Sequence, residues 1–313
     1  MAYHARVLRD SLSPEGVRLT TLELTFPRIV LAEFNTHRVF SRNSASSRAI
    51  PVEKMLQRVK DDPFVPIYWG RNQKGMQAAE ELSPEEQRQA TEQWLHTCDL
   101  VTEQVKNLLF LEVHKQIANR WLEPALWHTV VVTSTEWDNW DGLRISKDAQ
   151  PEIKRIAEMA LAERDRSWPD QLQPGDWHLP LVDDAVQLIS EGLTMLDVVK
   201  VCIGRCARVS YLTHDGKRDP KADIELCERL LKSGHMSPFE HAATPMTQLQ
   251  ADRVLSRMTL HNIMVPYLAD VKQTFSGNFR GWTQARKLIA HEDDFKAAWG
   301  SVRDLELPVD EEV

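Results

Sequence analysis

The sequence predicts an α+β fold, mostly helical with few strands. Apolar residues recur at helical spacing over several long segments of the 313-residue chain. β-Branched or alternating runs are confined to Val17 to Phe26 and Thr129 to Thr133. No internal repeat or low-complexity linker divides the chain, so a single domain is expected over 1–313.

Taken in order, Ser13 to Gly16 reads as a turn and Val17 to Phe26 as a strand. Pro27 suits the first turn of a helix running to about His37, which puts Glu33 and His37 on one face. A polar run follows from Thr36 to Arg48. Pro51 and Val52 open a short helix to about Val59, and 61–82 is irregular. Ser83-Pro84-Glu85-Glu86 is a strong helix start: a serine cap, a proline at the first position and acidic residues at the positive end of the dipole. That helix is expected to reach about Trp121, with Leu95, Leu100, Val101, Val105, Leu108, Leu109 and Val113 as its apolar stripe. A loop is expected from Glu136 to Lys147. Asp148 then caps a helix on which Ala149, Ile153, Ile156, Ala157 and Ala160 recur. Residues 166–182 read as loop, Met195 to Tyr211 and Ala222 to Leu231 as helices, and Ser233-Gly234 as a stop.

Composition narrows the class. Hydrophobic residues make up 42% of the chain, enough for a substantial core, and the net charge of −8 argues against broad nucleic-acid binding. No window approaches the roughly 18 apolar residues of a membrane span. The first residues lack the apolar run of a signal peptide, so a cytoplasmic protein is expected. Cys98, Cys202, Cys206 and Cys227 are too scattered for a disulfide framework. Cys202 and Cys206 share a helix face and read as reduced core residues.

Three constellations could carry chemistry. The run Thr36 to Arg48 is dense in guanidinium and hydroxyl donors that can hold a phosphate or a flavin edge; a solvated polar loop is the alternative. In extended backbone its Ser46 and Arg48 would point the same way. His235 to His241 gathers donors behind a helix stop. Its spacing is not that of a zinc-protease helix, which leaves a cofactor's polar edge or a structural loop. Arg120, Asn139 and Arg144 flank the 129–133 strand. A basic-aromatic island, Asn278 to Lys287, either adds charge or covers the core. Gly-rich phosphate loops, nucleophile elbows and Rossmann fingerprints are absent.

Together these blocks resemble the flavin-dependent thymidylate synthases. That family carries R-H-R-x7-S, and here Thr36-His37-Arg38 is followed after seven residues by Ser46, with Ser41, Asn43 and Arg48 in register. Its H-x-S-x-x-E-H is similar to His235, Ser237, Glu240 and His241. Its Ala-Arg-x-x-Tyr resembles Ala207 to Tyr211, and its L-R…Q-x-E-I resembles Leu143-Arg144 through Gln150, Glu152 and Ile153. The matches fall within 20–50, 118–160 and 203–245. In the family the H-x-S-x-x-E-H block precedes R-H-R; here it follows, as a circular permutation would produce.

The resemblance implies a small antiparallel sheet within that mostly helical α+β fold. A helical insertion at about 59–118 and a helical C-terminal extension at about 246–313 would then be additions. It implies a homotetramer with shared sites, FAD as hydride carrier, NADPH as reductant and methylenetetrahydrofolate as one-carbon donor. The reaction would be reductive methylation of dUMP to dTMP, with no metal and no cysteine nucleophile. By position, Thr36, His37, Arg38, Ser41, Asn43, Ser44, Thr133, Thr135, Asn139, His235, Ser237 and Glu240 fall at cofactor places. Glu33, Ser46, Ser47, Arg48, Arg120 and Arg144 fall at nucleotide places, with Arg144 the catalytic contact to the pyrimidine. Several positions depart from the family: Thr36 replaces an arginine, Ser44 a glutamate, Ala49 a tyrosine, Thr133 an asparagine, Thr135 an arginine and Glu33 a glutamine. A related C5 hydroxymethylase or methylase acting on dCMP or dUMP, and a flavin- or nucleotide-binding protein without turnover, share the same residues.

Overall fold

Two adjacent strands begin the chain, in a computed structural model that describes residues 3–209, 218–259, 269–289 and 292. Strand β1 (His4–Leu12) pairs antiparallel with β2 (Arg18–Pro27) across a turn in which Gly16 takes φ +75°. The sequence reading places no element before Val17. His4, Arg6, Arg9 and Asp10 dilute the apolar signal of β1 below recognition.

After Pro27 a 3-10 turn, Arg28–Val30, leads into α1 (Leu31–Asn35), which stops two residues short of the expected His37. The polar run is not simply a loop: Ser41–Ser44 form β3. Beyond it the chain turns, with Ala49 N donating to Ser46 O at 3.0 Å, so Ser46 and Arg48 do not lie on extended backbone. Helix α2 spans Val52–Asp61. Helix α3 (Pro84–Phe110) starts at the expected cap, where Ser83 and Glu86 bond each other reciprocally. It ends eleven residues early, where Glu112 adopts φ +57°. The stretch to Trp121 is a separate α4 (Lys115–Ala118) and a 3-10 segment, Asn119–Ala125, containing Pro124. Cys98, Val101, Val105 and Leu108 face the core, whereas Leu95 and Leu100 of the expected stripe are exposed.

Strand β4 (Trp127–Ser134) is central and almost wholly buried. The predicted 136–147 loop contains a helix, α5 (Asp138–Arg144). Helix α6 (Pro151–Arg166) begins after Gln150 rather than at Asp148, because Pro151 takes its first position. There follow β5 (Asp170–Gln171), α7 (Ala185–Ser190), α8 (Met195–Arg208), α9 (Pro220–Ser233), β6 (Ala243–Pro245), α10 (Gln248–Thr259), β7 (Phe275–Ser276), β8 (Phe279–Arg280) and β9 (Trp282–Gln284). Gly234 closes α9 at φ +72°, as its sequence foretells. Ser210 and Tyr211 of the expected Met195 to Tyr211 helix lie outside the described residues, as do parts of the C-terminal extension.

The main sheet runs β3-β4-β2-β1-β5, antiparallel except for the β1–β5 pair. Its apolar face, with Leu22, Leu24, Phe26, Val130 and Val132, packs on Ile153, Ile156, Ala157 and Ala160 of α6. A second core joins α8 to α9 through Val198, Cys202, Cys206 and Cys227, all four cysteines being free and buried. Among the described residues no helix is long and apolar enough to cross a membrane.

Candidate active site

Helix α1 and helix α5 lie against the same sheet, and their ends bring four sequence-predicted residues together. Arg144, last in α5, donates from Nε to His37 Nε2 at 2.9 Å. Its Nη2 donates to Thr36 Oγ1 at 2.9 Å and to the Glu33 carbonyl at 3.1 Å. Thr36 Oγ1 in turn donates to that carbonyl at 2.7 Å. The guanidinium of Arg144 therefore rests on the Thr36 hydroxyl. Its Nη1 takes no partner among the described residues.

His37 is buried between Phe40 and Trp140, with ring centroids at 5.7 and 5.0 Å. Burial, then the charges of Arg144 and Arg42, pull its pKa down to about 4. The ring is neutral at pH 7 and its Nε2 is an acceptor, so it orients Arg144 without competing for charge.

Glu33 and Arg144 line a cleft of about 980 Å³. Its far wall is formed by 66–70 and 76–78, including Tyr68 and Trp69, and exposed Lys147 and Arg155 also line it. This wall is pinned across the opening, where Gln77 Nε2 donates to Asp148 O at 3.1 Å and Ile67 N to Glu152 Oε1 at 3.4 Å. Sequence reasoning missed it, because 61–82 carries no periodicity.

A second group forms where β3 meets the 235–241 block. Ser237 Oγ donates to Asn43 Oδ1 at 3.4 Å, and Asn43 Nδ2 donates to Cys206 O at 2.5 Å. Ser41 Oγ accepts from Asn278 Nδ2 and Gln284 Nε2 at 3.3 and 3.1 Å. Glu240 is paired with Arg286 at 2.5 Å, and Thr135 Oγ1 accepts from Arg280 N at 3.1 Å. The 278–287 island covers the core, and its Arg280 and Arg286 are paired with Glu136, Glu240 and Glu292. Phe279 and Trp282 fill the core, while Arg280, Gln284 and Arg286 hold side chains of the candidate site.

Behind this group runs a buried relay. Ser11 Oγ bonds His178 Nδ1 at 2.9 Å, His178 Nε2 bonds Thr21 Oγ1 at 2.8 Å, Thr21 Oγ1 bonds Thr133 Oγ1 at 2.7 Å, and Thr133 Oγ1 bonds His241 Nδ1 at 2.8 Å. Burial holds His241 down to about 3; burial, then Arg9 and His241, holds His178 well below its usual value. His178 had no motif to announce it.

The third group is separate. Ser47 Oγ and Arg120 Nη1 both donate to Glu123 Oε1, at 2.7 and 2.8 Å, and Arg28 Nη2 reaches the same oxygen at 3.1 Å. No hydrogen bond joins these side chains to Arg144. Arg38, Arg48 and Asn139 are exposed, Ser44 and Ser46 half-buried, and none has a side-chain partner among the described residues. His235 is exposed, and its Nδ1 bonds Ser233 Oγ at 2.9 Å. The unpaired cation Arg38 and the open amide of Asn139, with His235 and Ser237 exposed, suit a flavin dinucleotide's anionic bridge and polar ring edge.

Comparison with known proteins now adds to this geometry. Among solved structures, a UMP/dUMP methylase PolB from Streptomyces cacaoi bound with 5-Br UMP is similar at 14% identity, over 53% of this chain and 89% of that chain, with a TM-score of 0.44. The same protein bound with 5-Br dUMP is similar at 16% identity, over 48% and 66%, with a TM-score of 0.38. No curated protein sequence matches. The family described as thymidylate synthase complementing protein matches residues 12–170, a span holding α1, β3, β4, α5 and the Arg144–His37 bond. The chain belongs to the thymidylate synthase complementing protein family.

Proposed function

We propose that this protein is a flavin-dependent methylase acting at C5 of a pyrimidine nucleotide, the family's reaction being dUMP to dTMP. The observation that carries the reading is Arg144, fixed by His37, Thr36 and Glu33, with Nη1 free at the head of the cleft. A guanidinium donating to the ring carbonyl stabilises negative charge as C5 becomes nucleophilic. Neutral His37 keeps that guanidinium in place. The four cysteines are buried, and burial pushes the Cys202 and Cys227 thiols up, which accords with activation that uses no thiol.

FAD, when bound, supplies the hydride that completes the methyl group. Arg38, Asn139, His235 and Ser237 would hold it, with Ser41, Asn43, Thr133, Thr135 and Glu240 behind them. NADPH would supply the electron pair and methylenetetrahydrofolate the carbon. Ser46, Arg48 and Arg120 would meet the nucleotide of a neighbouring subunit in a cytoplasmic homotetramer, which would account for the absence of bonds between them and Arg144. The permuted order is supported by the Ser237–Asn43 bond, which joins blocks far apart in sequence.

The test is spectroscopic and chemical. Purified protein supplied with FAD should show a flavin band that NADPH bleaches. Adding a pyrimidine deoxynucleotide and methylenetetrahydrofolate should yield a product 14 mass units heavier, the addition of one CH2. A hydroxymethyl product would select the hydroxymethylase reading. Absence of flavin binding and of any C5 product would refute the proposal.

A further inference from the structure

Among the described residues that line the cleft, one buried side-chain acceptor has nothing to accept. Glu33 Oε2 is buried and has no hydrogen-bond partner. The bonds from Thr36 and Arg144 to the Glu33 carbonyl fix its backbone beside Arg144. The other buried carboxyl lining the cleft, Glu152, is satisfied: Oε1 accepts from Ile67 N and Oε2 from Gln150 Nε2 at 3.0 Å. A buried acceptor left unpaired is costly, and the donor that relieves it here comes with the ligand.

We propose that Glu33 makes the site selective for a 4-aminopyrimidine nucleotide, a cytosine rather than a uracil base. The inference rests on the nucleotide reading above and names the base. The cleft presents two unsatisfied groups on neighbouring residues: an acceptor, Glu33 Oε2, and a donor, Arg144 Nη1. Cytosine offers an amino donor at C4 followed by acceptors at N3 and O2. The amino group meets the carboxyl, and the free Nη1 of the guanidinium donates to N3 or O2, so both contacts are complementary. Uracil offers a carbonyl at C4, then N3–H, then a second carbonyl. A carboxyl facing C4 opposes an acceptor, and one facing N3–H has a carbonyl on either side, of which the single free Nη1 can meet only one. Tyr68 and Trp69 offer aromatic surface for the ring. Lys147 and Arg155, exposed and without ion pairs among the described residues, line the cleft as cations for the phosphate.

Isothermal titration of the full-length protein, with FAD in the buffer, tests this using dCMP and dUMP as probes. The expected result is tighter binding of dCMP by about 10- to 100-fold. Glu33→Gln presents an amide N–H beside its carbonyl and should bring the two affinities within about threefold. Equal or tighter binding of dUMP by the unaltered protein overturns the inference and leaves the methylase reading standing. Binding of neither nucleotide sinks both. A dCMP preference that survives in Glu33→Gln removes Glu33 as its source. If that variant does not fold, the ratio for the unaltered protein still decides the base preference.

Discussion

Arg144 Nε donates to His37 Nε2 at 2.9 Å, which ties the last residue of α5 to the turn beyond α1 and fixes the imidazole with hydrogen on Nδ1. Three acceptors on two nitrogens of one planar group are a task for arginine. A lysine ammonium on a flexible stem cannot span them. Arg144→Lys is expected to cost about 1–2 kcal/mol, lowering Tm by a few degrees, and to weaken nucleotide binding at least tenfold. Thermal unfolding and titration with nucleotide check it. Unchanged affinity would remove Arg144 from the site.

The buried imidazoles set the direction of the pH dependence. His37 titrates at about 4 and His128 and His241 at about 3, all from an ordinary 6.5, with burial the leading cause. Below 6.5 the unfolded chain takes up protons that the folded chain refuses, so stability is full above about pH 6.5 and is lost as pH falls toward 3. Each such histidine removes up to about 1.4 kcal/mol per pH unit inside that window. Tm should be level between pH 7 and 8 and fall steadily from pH 6.5 to 5. A Tm that rises on acidification contradicts the assignment of neutral histidines.

Thr21 is the middle of the buried relay, bonded at once to His178 and Thr133. Thr21→Val keeps the shape and removes both bonds, leaving His178 Nε2 without that partner and the Thr133 hydroxyl with His241 alone. The expected cost is about 1–3 kcal/mol, and Thr21→Ser, which keeps the hydroxyl, should recover most of it. Urea denaturation measures both. Equal stability of the valine and serine variants would show that the relay carries no weight.

What the sequence revealed follows from how each feature is encoded. The helix start written in a cap and a proline at Ser83-Pro84 and the Gly234 stop fall where local chemistry places them, whereas α9 starts at Pro220, two residues before the expected Ala222. The Arg144–His37–Thr36–Glu33 group was approachable because its members sit in two short motifs. The failures have a shared cause. Strand β1 and strand β3 are polar segments held by pairing with β2 and β4, and pairing leaves no local periodicity. His178, Gln284 and the cleft wall at 66–70 and 76–78 likewise act through contacts with residues remote in sequence. Helix α5 was hidden by its acidic and amide residues, whose buried anchor is a single tryptophan, Trp140.

Two glycines give opposite predictions for the same substitution. Gly204 lies in α8 where a Cβ would strike the backbone of Asp223, including its carbonyl oxygen and Cα. Helix α9 cannot yield easily there, because buried Asp223 is bonded to Arg208 at 2.6 Å and Arg205 at 3.3 Å. Gly204→Ala should gain about 1 kcal/mol in helix propensity yet lose more through overpacking, a net destabilisation of about 1–2 kcal/mol. Gly142, inside α5, has open space around its Cβ position. Gly142→Ala keeps the propensity gain with no clash, so it should stabilise by up to about 1 kcal/mol and stiffen the helix that presents Arg144. Chemical denaturation of the two variants side by side reads the difference in sign. A stabilised Gly204→Ala would mean that α8 and α9 do not pack as closely as the Asp223 contact requires.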